Sequence, residues 1–131
     1  MIEITENIKT LLESSNVSFA TSDQNNIPNC NIIACLKVIN GNQILFTDNY
    51  FNKTRHNLEI NNNVSLSFCS NDGNEAYQIK GTAEIFTNGI YKEMVDNMEC
   101  NQGLAHKAAI LVTITEIWDL ADPKLICSEK L

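Results

Sequence analysis

The stretch FNKTRHNLEINNN, residues 51–63, places two cations where helix physics disfavours them. The segment reads as a helix from about Lys53 onward, with Asn52 as its N-cap, because an Asn side chain accepts the orphan N–H groups of a first turn. Lys53 and Arg55 then sit at the positive end of the helix dipole, which costs about a few tenths of a kcal/mol each. Cations are scarce here: nine Lys plus Arg stand against sixteen Asp plus Glu. Two readings follow. A bound anion would explain the placement, since free N–H groups and a nearby Lys make a phosphate site. The alternative is an exposed helix face on which the mismatch is tolerated.

Other candidate chemistry is thin. The two histidines, His56 and His106, have no metal-site spacing with the cysteines, and nothing resembles CxxC pairs or HExxH, so no metal is expected. Cys30 and Cys35 fall within one strand pattern at an odd separation, which puts them on opposite faces. The five cysteines (30, 35, 69, 100 and 127) lack framework spacing and read as free thiols in a reducing compartment. No GxGxxG or P-loop pattern occurs. Trp118, the only tryptophan, is either an amphipathic residue at the core edge or an aromatic wall on a flat ligand. Lys37 reads equally as a solvated strand residue or a functional one.

The positioning elements follow from periodicity. With 131 residues, no linker and no repeat, residues 1–131 form one domain. The net charge of −7 argues against a nucleic-acid or anionic-membrane partner. MIEITENIK has no apolar core of a signal peptide, and no run is long enough to span a bilayer, which suggests a cytoplasmic protein. Ile4, Ile8, Leu11 and Leu12 make one stripe on an N-terminal helix starting near Glu3 or Thr5. Strands are expected at residues 17–22, 27–39, 43–48, 64–69, 76–86 and 108–118, with turns at 23–26, 40–42 and 71–74. Gly81 marks a bulge or a close backbone approach. Residues 90–98 form a helix with Tyr91, Met94, Val95 and Met98 on one face. The sum is a mainly β fold, a six-stranded antiparallel barrel with two or three short flanking helices.

In this order the elements resemble the pyridoxamine 5′-phosphate oxidase-like family of FMN-binding split barrels. The resemblance covers roughly residues 17–86. It rests on Phe46-Thr47-Asp48 at a strand end, Asn52-Lys53-Thr54 opening a helix, Asn57-Leu58, and Asn62-Asn63-Val64 where the family commonly has Asn-Pro-x-Val. YQIKGTAEI is similar to the family's strand with a central Gly-x-Ala. The resemblance implies a split β-barrel with FMN as cofactor. Lys53 and Thr54 would hold its phosphate, with Thr47 and Asp48 beside the ribityl chain. The strand at Asn31, Ile32, Ile33 and Ala34 would run along the isoalloxazine edge. It further implies a homodimer with flavin at the interface, where Trp118 or Gln78 would reach the partner's flavin.

Two departures qualify the implied activity. The family's vitamin B6 oxidases carry Arg residues near a C-terminal Trp, whereas Trp118 is followed by DLADPKLICSEKL, which has no Arg. The phosphate pair is Lys-Thr rather than doubly basic. The expectation is therefore a flavin-dependent oxidoreductase of another substrate. The rival readings are a non-catalytic flavin carrier or redox sensor, a barrel for haem or a deazaflavin (with His56 or His106 as the only histidine haem ligands), and a flavin-free interaction domain.

Overall fold

The computed structural model describes residues 2–128. Its elements run α1 (Glu6–Glu13), β1 (Val17–Ser22), β2 (Pro28–Ile33), β3 (Leu36–Asn40), β4 (Gln43–Asp48), α2 (Lys53–Ile60), β5 (Asn63–Cys69), β6 (Ala76–Phe86), α3 (Ile90–Asp96), a 3₁₀ turn (Glu99–Asn101), β7 (Ala108–Asp119) and β8 (Lys124–Ser128). All pairings are antiparallel, in the order β2-β1-β5-β6-β7-β4-β3. β8 pairs with the Glu116–Asp119 end of β7, beyond the reach of β4.

Eight strands stand where six were expected. The run at 27–39 is two strands, because residues 34–35 carry the chain from one end of the sheet to the other. β2 and β3 are thus neighbours in sequence but opposite edges of the sheet, and the barrel is split between them. KLICS, after the turn at Pro123, supplies the eighth.

Burial follows the pattern of each strand. Val64, Leu66 and Phe68 of β5 point inward, with Ser65 and Ser67 half-buried between them. β4 and β7 are covered on both faces. Ile44, Phe46, Ile110, Val112 and Ile114 enter the barrel core, while Leu45, Ala109 and Leu111 meet Val95, Tyr91, Met94 and Met98 of the α3 region. Phe19 and Phe46 meet edge-on with centroids 5.1 Å apart, and Phe51 lies stacked at 6.4 Å from Phe19. α1, capped by Thr5 (Oγ1 to the Ile8 N–H, 3.4 Å), buries Ile8 and Leu12 in the same core. Its Glu13 carboxylate accepts from the Val38 N–H (3.0 Å) and so covers part of the β3 edge.

The turn at 23–26 forms as its residues require. Asp23 Oδ1 accepts from the N–H groups of Asn25 and Ile27, and Asn26 takes φ 63°. Not all cysteines are free: Cys35 and Cys100 form a disulfide across 65 residues, with Cα atoms 5.8 Å apart. Spacing could not reveal it, because a pairing over that distance is set by the fold. Cys30 and Cys69 are exposed thiols and Cys127 is a half-buried one.

Gly81 is both a bulge and a close approach. The β6–β7 register shifts at Lys80/Gly81, and a Cβ on Gly81 would lie 2.4 Å from the Thr113 carbonyl oxygen. Gly81→Ala should therefore lower stability by about 1–3 kcal/mol. Urea denaturation checks this, and an unchanged midpoint would mean the two strands are not so close.

Candidate functional site

The β4–α2 junction is built on one buried carboxylate. Asp48 ends β4 with no solvent exposure. Its Oδ1 accepts from the Phe51 N–H (2.9 Å) and its Oδ2 from Arg55 Nη1 (2.8 Å). Lys107 closes the other side: its backbone N–H donates to the Asp48 carbonyl (2.7 Å), and its Nζ donates to the Phe51 carbonyl (2.9 Å), 3.6 Å from Asp48 Oδ1. A carboxylate this deep is tolerable only with such compensation. Arg55 is thereby committed: it neutralises Asp48 and also lies 3.3 Å from Glu59.

Lys53 is different. It is exposed, and among the described residues its ammonium joins no hydrogen bond or ion pair. The expected Asn52 cap is not made: its side chain bonds none of the first-turn N–H groups, because its backbone (φ −127°, ψ −77°) lies outside the extended region typical of an N-cap. The first intrahelical bond runs from the His56 N–H to the Asn52 carbonyl (3.1 Å). The N–H groups of Lys53, Thr54 and Arg55 thus open the helix uncapped beside an ammonium that is unpaired among the described residues.

Thr54 has turned inward. Its hydroxyl donates to Asn31 Oδ1 (2.5 Å) and accepts from Asn29 Nδ2 (3.1 Å), which also donates to Asn31 (3.0 Å). This triangle fastens α2 to β2 and separates two clefts. One, about 310 Å³, is walled by residues 31–35 with Thr47, Tyr50, Phe51, Cys100 and Leu104. The other, about 390 Å³, is lined by Asp23, Pro28, Asn29, Lys53 and His56 among others. Both fall within the size range of small-molecule sites.

The sequence-predicted residues therefore divide. Asn31, Ile32, Ile33, Ala34 and Thr47 share the first cleft, Lys53 lines the second, and Thr54 braces the ridge between. Asp48 is buried beneath this region and offers a ligand no free oxygen. Trp118 is not brought to it within this chain. It lies ten residues along β7 from Ala108, the partner of Asp48, or roughly 30 Å at strand rise. Its indole Nε1 donates to Glu116 Oε2 (3.1 Å).

Asn101 was not singled out from sequence and carries much of the first cleft's far wall. Fully buried, it donates from Nδ2 to Thr47 Oγ1 (2.8 Å) and the Val95 carbonyl (2.7 Å), and accepts from Asn49 Nδ2 (3.1 Å). Asn49 Oδ1 in turn accepts from the His106 N–H (2.7 Å). A loop Asn gives no sequence signal of such a role.

A profile of the pyridoxamine 5′-phosphate oxidase family matches residues 4–121. The chain belongs to the pyridoxamine 5′-phosphate oxidase family. An uncharacterized protein of Methanocaldococcus jannaschii is 32% identical over 124 residues, covering 92% of this chain and 83% of that one. HupZ of Group A Streptococcus superposes with a TM-score of 0.85 at 25% identity, over 95% of this chain and 99% of its own. At fold level the family's split barrel recurs in an FMN-binding protein of Syntrophomonas wolfei (TM-score 0.74, 17% identity, 88% and 85% coverage). It recurs too in HutZ, a heme storage protein of Vibrio cholerae (0.68, 15%, 91% and 95%). Relative to pyridoxamine 5′-phosphate oxidases, the segment after Trp118 has one cation among the described residues, Lys124, which pairs with Asp122 at 3.2 Å.

Two expectations follow from the electrostatics. Arg55→Ala strands a buried carboxylate and should cost about 3 kcal/mol, whereas Lys53→Ala should change stability by less than about 0.5 kcal/mol; chemical denaturation of both variants separates the roles. Asp96, whose carboxylate accepts from Lys92 and from His106 Nδ1 (2.6 Å), titrates below its ordinary 3.8, chiefly through Lys92 and then His106. Because the folded value is lowered, this contribution to stability is present above about 3.8 and is lost as pH falls through the folded value. In an NMR titration, Lys92→Ala should move Asp96 upward; an unmoved titration would assign the shift elsewhere.

Proposed function

We propose that this chain binds FMN as a homodimer and acts as a flavin-dependent oxidoreductase whose substrate is not vitamin B6. One observation carries the reading: the uncapped N-terminus of α2 and Lys53, unpaired among the described residues, face one cleft, and only the Thr54–Asn31–Asn29 ridge stands between it and a second cleft walled by a sheet edge and two aromatic rings. The anionic end of the cofactor fits the first part. Three first-turn N–H groups and an ammonium complement a phosphate, and the nearby Asp48 is already neutralised by Arg55. Lys53 would hold the phosphate, and Thr54 would act by positioning Asn31.

The ring end fits the other cleft. β2 is an edge strand, so the backbone groups on its outer side have no sheet partner and are available to the polar rim of a flat ring. Phe51 and Tyr50 supply apolar contact. Bound flavin supplies the redox chemistry; the chain's residues bind it, orient it and exclude water. Ile27, Ile32, Tyr50 and Leu104 are exposed around the clefts, which supports a second copy covering them. In such a dimer the partner's Trp118 or its strand neighbour Gln78 would approach the flavin. The lack of Arg after Trp118 argues against a second phosphate, the one a vitamin B6 substrate would bring.

Haem is the second reading, favoured by the fold shared with the Vibrio cholerae protein. Of the two histidines, His106 is held by Asp96, while His56 lines the 390 Å³ cleft with Lys53. Haem ligation by a histidine would therefore fall to His56, and a Soret band should disappear in His56→Ala. The deciding experiment is the visible spectrum of the purified protein followed by titration with FMN. FMN fluorescence should be quenched on binding, and Lys53→Ala should weaken affinity by about tenfold, the worth of one charge-assisted contact. A protein that leaves FMN fluorescence unchanged would end the flavin reading; FMN affinity indifferent to Lys53 would overturn the phosphate assignment.

A further inference from the structure

We infer that the Cys35–Cys100 disulfide is a thiol–disulfide exchange site whose reduction releases one wall of the cofactor cleft; the ligand named here rests on the FMN reading above. Both cysteines line that cleft, and Cys100 also faces the larger groove, of about 950 Å³, between α3 and β3. The two halves of the bond differ in access: Cys100 is exposed, whereas Cys35 is 7% exposed. An external thiolate therefore meets the Cys100 sulfur first, and Cys35 is the leaving thiolate.

The balance is that of ordinary exchange with a dithiol. One thiolate of the reductant attacks Cys100 Sγ, the Cys35–Cys100 bond breaks, and a mixed disulfide forms on Cys100. The reductant's second thiolate then displaces Cys100. Two electrons and two protons pass to the cysteines, and the reductant leaves as its own disulfide.

The consequence lies in what else holds residues 99–106. Cys100 is tied to residue 35, at the β2–β3 crossing, by this covalent bond. Asn101 beside it bonds Thr47, Asn49 and Val95, and Asn49 holds the His106 backbone. Leu104 is partly exposed, and Gly103 takes φ 84° in an open turn. With His106 Nδ1 on Asp96 and Gln102 Nε2 on the Asp96 and Met98 carbonyls, the segment is held by side-chain polar contacts and one covalent tether, the kind of attachment that opens locally before the core does. Cutting the tether should loosen Cys100 and Leu104, two of the residues that shape the cleft.

The test compares the oxidised protein, the protein reduced by a small dithiol, and Cys35→Ser/Cys100→Ser. Differential alkylation first measures whether the pair equilibrates with the dithiol under native conditions. Reduction should proceed without unfolding, weaken FMN by about tenfold if the ordered wall is then populated about a tenth of the time, and raise amide exchange at 99–106. The reduced wild type guards against a double variant that misfolds. If FMN binds neither form, the flavin reading fails and exchange alone decides: faster exchange at 99–106 on reduction upholds the switch. Resistance of the pair to dithiol short of global unfolding, or unchanged exchange in the reduced protein, would overturn it.

Discussion

Everything near the candidate site depends on the burial of one charge, the Asp48 carboxylate. A strand end that leads into a helix through four residues has many possible paths, and each costs conformational entropy to exclude. Asp48 selects one by accepting from the Phe51 N–H and Arg55 while Lys107 holds the backbone on both sides. Phe51 is thereby placed against Phe19 on the core side and in the cleft wall on the other. The start of α2 is fixed by the same bonds. Its two cations then have separate tasks, with Arg55 spent internally and Lys53 left outside.

The split of the barrel does the complementary work. Because β2 and β3 leave the same short corner for opposite sheet edges, β2 keeps an open side beside the α2 start. The Thr54–Asn31–Asn29 triangle ties that open strand to the helix without closing the clefts on either side. A hydrophobic contact in its place would hold the strand as well but would not fix the orientation of Asn31, since apolar packing is not directional.

Much of this was legible in the chain where local physics decides. Alternation in VSLSFC, the Asp23 turn, the α3 face and the start of α2 at Lys53 each follow from a short window of residues. The ordered set around Phe46-Thr47-Asp48 and Asn52-Lys53-Thr54 carried the family. What was not legible depends on distance. Nothing in IPNCNIIACLKVI marks residues 34–35 as a corner, since no Gly or Pro stands there. Arg55 meets Asp48 only once the helix has formed, and Thr54 faces Asn31 across 23 residues. Asn101 and the Cys35–Cys100 bridge join segments more than fifty residues apart, beyond any periodic signal.

The central claim is that Lys53 and the uncapped α2 start are a phosphate site. Comparing the affinities of FMN and riboflavin, which differ only in the phosphate, in the wild type and in Lys53→Ala tests it most directly. FMN should bind the wild type at least about tenfold tighter than riboflavin, the worth of a charge-assisted contact of about 1.4 kcal/mol. That preference should shrink in Lys53→Ala while riboflavin affinity stays the same. Equal binding of the two ligands by the wild type, or a preference that survives loss of Lys53, would contradict the account.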